Sequence, residues 1–314
     1  MPLLDLGAAL ALGLRYFTII YLTGLGGLFS ERSGIVNIGL EGMMITGTIM
    51  GAWGTIELGP VPGLLIGAAA GALFSMVHAV ATVTFRVDQI VSGVVINLVA
   101  VGLARFLSQV FFGQATQSDP GIPSLTPIDV PVLEALPWGL GRAFQGMSPV
   151  VPLAFFMVVP ALLVLNRTRF GLRLRAAGEN PEAARTQGVR VAPLRYAGVG
   201  ISGALAGLSG AFLAIEINGL FREGQTQGLG FIALAALILG NWSPKRVMVG
   251  ALLFGFAQAV PLRLNDAPVI ALLPEQFIRM IPYVVTIVAI AGFVGRVHPP
   301  AAAGRAYEGG GGTL

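Results

Sequence analysis

Long apolar runs separated by short polar stretches dominate this sequence. Several runs reach the roughly 20 residues that a helix needs to cross a bilayer, which predicts an all-α polytopic membrane protein. The nine predicted spans lie at about 6–29, 35–54, 60–85, 90–113, 148–166, 196–218, 228–241, 247–264 and 275–295. The seventh has only 14 residues, so we expect a broken or re-entrant helix there, and a count of eight to ten spans is compatible with the pattern.

The pattern predicts a single transmembrane domain over residues 1–296 and a flexible tail, rich in Gly, Ala and Pro, at 297–314. The largest polar connections are 114–147, expected outside the cell, and 167–195. Neither predicts a soluble catalytic domain, because about 30 residues are too few for an independent core. The N-terminal apolar run lacks a preceding basic region and is too long for a cleavable signal peptide, so we expect it to be the first span.

The connection at 166–195 is the most charged part of the chain. It carries seven arginines, whereas charged residues make up only 11% of the whole sequence. Cytoplasmic loops are enriched in arginine and lysine, and alternation from this loop places 13 of the 19 basic residues on the same side. The residues that join the seven arginines there are Arg32, Arg86, Lys245, Arg246, Arg296 and Arg305. We therefore expect the N-terminus outside and the C-terminus in the cytoplasm.

A short helix with both ends marked is predicted inside this connection. Asn180 can cap its N-terminus, Pro181 suits its first position, and Glu182 complements the positive end of the helix dipole. Gly188 can close its C-terminus. A helix of about seven residues is too short to be stable alone in water, so we expect it to need a partner surface. The arginines alone are explained by membrane topology, but topology does not require a capped helix.

Composition limits the chemistry that the chain can perform. With a single lysine and no G-x-x-x-x-G-K-[ST] loop, the chain is not expected to hydrolyse ATP by that route. The absence of cysteine and the presence of only two histidines argue against a structural zinc site, and no cofactor is expected. The pI of about 10.0 reflects arginines on one side of a membrane and does not indicate nucleic-acid binding. An enzymatic role is therefore not expected.

Polar side chains inside the spans are candidates for function, because burying them in a bilayer is costly. Asn37 and Glu41 are four residues apart and would share one face of a helix in the second span. The stretch 33–42 around them is rich in glycine. It fits an interrupted helix that lines a cavity, and equally a close-packed helix end at which Glu41 is merely paired.

Two further groups of polar residues lie in or near the spans. The fourth span carries a polar stripe that we expect to face the interior of the helix bundle, formed by Asn97, Arg105, Ser108 and Gln109. Glu216 and Asn218 lie at the outer end of the sixth span. There they fit the mouth of a pathway or a docking surface as well as they fit a pore.

Three segments resemble the permease subunit of bacterial ABC importers of the branched-chain amino acid/ribose type. They are residues 26–44, residues 175–184 followed by Gly188, and residues 230–242. The resemblance covers about residues 10–295. Within the first segment, Arg-Ser-Gly-Ile-Val-Asn-Ile-Gly-Leu-Glu-Gly-Met-Met is similar to the nucleoside branch of the family. Sugar permeases usually have a Gly-Ile-Asp-Leu-Ser motif there, and amino acid permeases have a motif rich in Asn, Phe and Ala.

The resemblance implies a type II-like ABC importer bundle whose short cytoplasmic helix docks onto an ATP-binding subunit. The residues that it assigns to this coupling element are Arg175, Gly178, Glu179, Asn180, Pro181, Glu182, Ala183, Ala184 and Gly188. The candidates for the translocation path are Asn37, Glu41, Asn97, Ser108 and Gln109. The short first loop and the missing extra N-terminal helix depart from the ten-span sugar permeases, which leaves the number of spans open.

The resemblance also implies a setting and partners. These are the bacterial cytoplasmic (inner) membrane, a cytoplasmic ATP-binding subunit, a second permease chain of the same or a different kind, and an extracytoplasmic substrate-binding lipoprotein. The expected function is import of a nucleoside-like solute by alternating access. Simple sugars and branched-chain amino acids are alternative solutes. A stand-alone secondary transporter or channel is the alternative of another class, although scattered acidic residues and a capped basic loop count against it.

Overall fold

The computed structural model describes residues 6–134, 136–137, 140–264, 275–293 and 297–307, and these residues are mostly helical. The helices are α1 (Leu6–Arg32), α2 (Leu40–Leu58), α3 (Pro60–Ala79, followed by the π-helix Val80–Thr84), α4 (Gln89–Phe112), α5 (Pro131–Glu134), α6 (Val150–Phe156), α7 (Val158–Arg167), α8 (Arg169–Glu179), α9 (Pro181–Thr186), α10 (Val191–Phe212, followed by the π-helix Leu213–Asn218), α11 (Leu229–Leu239), α12 (Pro244–Leu264) and α13 (Glu275–Phe293). No strand forms in the described ranges, where β-bridges join Gln117 to Arg222 and Ile128 to Met147.

The expected helical membrane protein is confirmed. Within the described residues, five helical segments are long and apolar enough to cross a membrane: Gly7–Arg32, Pro60–Thr84, Gln89–Phe112, Val150–Arg167 and Val191–Asn218. Two shorter apolar helices are Leu229–Leu239 and Met280–Ala289. The count of nine spans and the orientation of the termini stay predictions.

Helix α10 lies at the centre of the bundle, packed against α1, α2 and α3. Glycines bring these backbones into direct contact. A Cβ added at Gly47 of α2 would overlap the carbonyl oxygen of Gly207 in α10, and one added at Gly71 of α3 would overlap that of Gly203. Small residues allow this approach, and the resulting van der Waals contacts hold helices together in a lipid environment. Helices α2, α3 and α10 therefore form a closely packed block.

The connection between α7 and α10 is more ordered than the sequence analysis expected. It contains two helices, because α8 forms from residues that were expected to be a loop. Helix α8 buries one face, consisting of Gly171, Leu174, Ala177 and Gly178, and leaves arginines on the other. The short helix that was expected is α9.

Residues 297–307, the first part of the tail that was expected to be flexible, contact the rest of the chain. The backbone N–H of Ala302 donates to the carbonyl oxygen of Gly178 at 2.9 Å, and the ring of Tyr307 lies 5.4 Å from the guanidinium carbon of the buried Arg195. These contacts place residues 297–307 against α8 and the start of α10. The rest of the expected tail, 308–314, lies outside the described residues.

The close packing of α2 on α10 predicts that Gly47→Ala destabilises the protein. The added methyl group must displace backbone, and overpacking of this kind costs about 1–3 kcal/mol. We expect the midpoint of thermal unfolding in detergent, followed by tryptophan fluorescence, to fall by several degrees. Gly102→Ala in α4 is the matched control, since nothing lies within 4 Å of its added Cβ. Equal shifts for the two variants would contradict the direct contact.

Candidate functional site

A non-helical stretch at 33–39 separates α1 from α2. Gly34 has a φ of +95°, which favours glycine, and the helix resumes at Leu40. Asn97 of α4 stabilises the new helix start, because its Oδ1 accepts from the N–H of Gly42 at 2.7 Å and its Nδ2 donates to the carbonyl of Ile38 at 3.1 Å. Backbone N–H and C=O groups without hydrogen-bond partners are costly in a bilayer, so a side chain must supply the partners that a helix would otherwise provide. The second helix therefore begins at Leu40, five residues later than the predicted span, after a non-helical stretch.

Asn37 lies within this non-helical stretch. The expectation that it shares a helix face with Glu41 is therefore wrong. Helix α2 begins three residues after Asn37, so the helical spacing does not apply to the pair. The Asn37 side chain is fully buried, and its Nδ2 donates to Ser202 Oγ of α10 at 2.9 Å. Its Oδ1 has no hydrogen-bond partner among the described residues.

Glu41 joins the start of α2 to the start of α11. Its Oε1 accepts from the N–H of Gly228 at 2.9 Å and its Oε2 from the N–H of Gly230 at 2.7 Å. The first amides of a helix have no partner within the helix, so a buried carboxylate satisfies two of them and complements the helix dipole. The 11 residues of α11 extend about 16 Å, half of a hydrocarbon core of about 30 Å. Glu41 therefore fixes a half-length helix at membrane depth.

The polar stripe on α4 does not face the bundle interior as a whole. Ser108 is buried and donates to the carbonyl of Gln114 at 2.6 Å, whereas Arg105 and Gln109 are exposed. Arg105 forms a salt bridge with Glu223 at 2.9 Å. The buried face of α4 follows small residues at steps of four, through Ala104 to Ser108, so the next residue along the chain is turned about 100° away from it. The roles of the five path candidates stay predictions.

The caps that were expected for the short helix are confirmed. Asn180 Oδ1 accepts from the N–H of Ala183 at 3.0 Å, and Pro181 is the first residue of α9. Gly188 has a φ of +76°, and its N–H donates to the carbonyl of Arg185 at 2.8 Å. The left-handed glycine and the extra hydrogen bond are typical of a helix C-terminus.

Helix α9 has one buried face and one exposed face. Ala184 packs against Ala177 of α8 and Val191 of α10. Glu182 and Ala183 are exposed. A helix of six residues thus rests on α8 and α10 and leaves Glu182, Ala183, Arg185 and Thr186 exposed on its other side.

The end of α1 connects this region to the turn before α12, and two of the residues involved, Glu31 and Trp242, were not singled out by the sequence analysis. A Cβ at Gly178 of α8 would overlap the carbonyl oxygen of Arg32. The Arg32 guanidinium donates to the carbonyl of Trp242 at 2.8 Å and lies 3.5 Å from Glu179. Glu31, also buried, accepts from the Trp242 indole N–H at 2.6 Å. Glu31, Arg32 and Trp242 lie within the segments that carry the family resemblance, and this was the signal that could have identified them.

Arg175 lies in α8, partly buried, and its Nε has no hydrogen-bond partner among the described residues.

We name the arrangement of α8, α9, the end of α1 and the turn before α12 the α8–α9 junction. Among the described residues, no group of three or more His, Asp or Glu side chains is placed to hold a metal ion.

The Glu41 contact predicts that Glu41→Gln lowers stability. Glutamine has one acceptor oxygen, so its NH₂ group would face a backbone N–H that also needs an acceptor. An unsatisfied buried donor costs about 1–3 kcal/mol, and we expect a lower midpoint of thermal unfolding in detergent. Glu57→Gln near the other end of α2 is the matched control, since Glu57 is exposed. If the two variants unfold at the same temperature, Glu41 does not stabilise the start of α11.

Comparisons with known proteins agree with this architecture. The family model for the branched-chain amino acid transport system permease component matches residues 9–290. The nucleoside ABC transporter permease NupC of Lactococcus lactis is 43% identical over 306 residues, which cover 94% of each chain. The guanosine ABC transporter permease NupQ of Bacillus subtilis is 42% identical over 302 residues, again 94% of each chain. A Haloferax volcanii ABC transporter permease, provisionally assigned to glucose, is 38% identical over 78% of this chain and 74% of its own. The chain therefore belongs to the family of branched-chain amino acid transport system permease components.

Proposed function

We propose that this chain is the transmembrane permease subunit of an ATP-driven ABC importer, and that α9 docks onto a separate ATP-binding subunit. The observation that carries the proposal is a helix of six residues, capped at both ends, that rests on α8 and α10 and exposes Glu182, Ala183, Arg185 and Thr186. It begins directly after the end of α8, which packs against the end of α1. An isolated helix of this length is marginal in water. Its position at a junction of several helices suits an element that receives a force from outside the bundle.

The contacts at the junction give this force a route into the membrane. Gly178 packs against the end of α1, and Arg32 and Glu31 bind Trp242, which follows α11. The opposite end of α11 is held by Glu41 at the start of α2. A displacement of α9 would therefore move α11 along its length and shift the interrupted region, which is the kind of rigid-element movement that alternating access requires.

The coupling residues divide their roles within this proposal. Glu182 and Ala183 present the docking face, together with Pro181 at its edge. Asn180 and Gly188 fix the two ends of α9. The residues that transmit the movement to the rest of the chain are Arg175, Gly178, Glu179 and Ala184.

The proposal includes nine spans, with the N-terminus outside and the C-terminus in the cytoplasm of a bacterial inner membrane. The arginine-rich α8–α9 region supports this orientation through the positive-inside rule. The partners are the ATP-binding subunit, a second permease chain, identical or different, and an extracytoplasmic binding lipoprotein. The candidates for the translocation path remain Asn37, Glu41, Asn97, Ser108 and Gln109. Of these, Glu41 and Asn97 would act by holding the interrupted helices in place.

The proposed solute is a nucleoside or a similar compound. Two relatives named for nucleoside or guanosine transport, each matched over 94% of this chain, support it. A simple sugar is the second candidate, since the Haloferax relative is assigned to glucose. A stand-alone channel would require activity from this chain without ATP.

The docking role predicts that Ala183→Arg separates the two subunits without unfolding the permease. Ala183 is exposed, so the new side chain has room in the isolated chain. We expect at least a tenfold loss of the co-expressed ATP-binding subunit on affinity purification, with an unchanged midpoint of thermal unfolding. Val87→Arg in the turn between α3 and α4 is a control that introduces the same side chain at another exposed position. Normal co-purification of Ala183→Arg would exclude α9 as the docking element.

The importer function predicts solute-dependent ATP hydrolysis in liposomes that hold the permease, its partner permease, the ATP-binding subunit and the solute-loaded binding lipoprotein. We expect radiolabelled guanosine to accumulate only when ATP is present on the cytoplasmic side. Glucose and leucine, presented with the same complex, test the two alternative solutes. Uptake by this chain alone, driven by a gradient and independent of ATP, would favour the stand-alone transporter.

A further inference from the structure

A polar cavity of about 130 Å³ lies where α1, the end of the π-helix Leu213–Asn218, the connection at 219–228 and α12 meet. Its polar side chains are Tyr16, Asn218, Arg222, Gln225, Gln227 and Gln258. Four of these six are amides, and no carboxylate is found among the described residues that line the cavity. Such a lining suits a neutral solute with both donors and acceptors better than it suits a cation.

The cavity lies at membrane depth. Tyr16 precedes Arg32 by 16 residues, or about 24 Å along α1. Gln258 follows Pro244 by 14 residues, or about 21 Å along α12. These two helix ends are neighbours, because Arg32 binds Trp242. Both side chains therefore lie about 21–24 Å from the α8–α9 junction, or roughly 70–80% of the thickness of a hydrocarbon core of about 30 Å.

Gln225 is the second indication of a ligand. Its side chain is more than nine-tenths buried, and its Oε1 accepts from Asn218 Nδ2 at 2.7 Å. Its Nε2 has no hydrogen-bond partner among the described residues. The next amide along the connection, Gln227, adopts a φ of +47°, a strained conformation for a residue other than glycine. A buried donor without an acceptor, next to strained backbone, marks a place where a bound molecule would complete the hydrogen bonding.

We propose that this cavity binds the transported solute during its passage, and that Gln225 and Gln258 recognise the edge of a neutral ring such as a nucleobase. The inference rests on the proposed importer function. A carboxamide offers a donor and an acceptor side by side, which matches the paired groups on a purine edge. A second cavity of about 110 Å³, lined by Thr48, Thr226 and Glu223 among others, shares Arg222 and Gln225 with the first. Leu229 places the first cavity next to the start of α11, the half-length helix that Glu41 holds.

Direct binding tests this site without the lipoprotein, whose own affinity would otherwise dominate transport measurements. The complete complex of permeases and ATP-binding subunits is placed in nanodiscs, and saturable binding of radiolabelled guanosine is measured by equilibrium dialysis. We expect Gln225→Leu and Gln258→Leu each to weaken binding at least tenfold. Thermal unfolding of Gln225→Leu should occur at nearly the same temperature, because the substitution removes a buried donor that lacks an acceptor together with the acceptor of the exposed Asn218. A purely structural role would instead lower that temperature.

Gln145→Leu is the matched control, since Gln145 is exposed and lies outside both cavities. Binding that is unchanged in both cavity variants, or weakened equally in all three, would overturn the site. If the wild-type complex binds glucose or leucine in place of guanosine, the proposed solute is wrong, and the same variants test the cavity with the solute that binds. If the wild type binds none of the three, the cavity proposal fails, while ATP-dependent uptake in liposomes decides the importer function separately.

Discussion

The contact between Glu41 and the first amides of α11 is the interaction on which the interior of this protein depends. A bilayer offers no water to backbone groups, so a helix that begins within it needs partners for its first N–H groups. Glu41 supplies two acceptors at 2.9 and 2.7 Å, one to Gly228 and one to Gly230. Because Glu41 is itself near the start of α2, one carboxylate joins two interrupted helices. Asn97 completes the arrangement by bonding the backbone on both sides of the α2 start.

Close packing and polar pairing divide the bundle into two kinds of structure. Helices α2, α3 and α10 touch through glycine backbones, which leaves them little freedom to separate. Helix α11 is held by polar contacts as well, from Glu41 at its start and from Trp242 just beyond its end. Its own Gly230 and the following Gly240 also pack against the backbones of Glu41 and Val247. Polar contacts at two helix ends can exchange partners with less repacking than an interlocked glycine interface.

Local patterns in the sequence predicted the features that depend on local physics. The hydrophobic runs placed the described long helices to within a few residues, and Asn180, Pro181 and Gly188 marked both ends of α9. Pairings between distant residues were not accessible in this way. Nothing near Glu41 indicates that Gly228, 187 residues away, is its partner. The exposure of Arg105 was likewise missed, because its side chain turns outward to meet Glu223, 118 residues further along.

The position of the amide-lined cavity follows from the same constraint as the Glu41 contact. A half-length helix leaves the rest of the membrane depth to be crossed by a connection, here 219–228, whose backbone must also be satisfied. Gly219, Gly224, Gln227 and Gly228 adopt positive φ values in this connection, so it cannot be a continuous helix. Irregular backbone at this depth is tolerated where it lines a polar cavity. The interruption that obliges Glu41 to bind the start of α11 is thus also what opens space for Gln225 beside it.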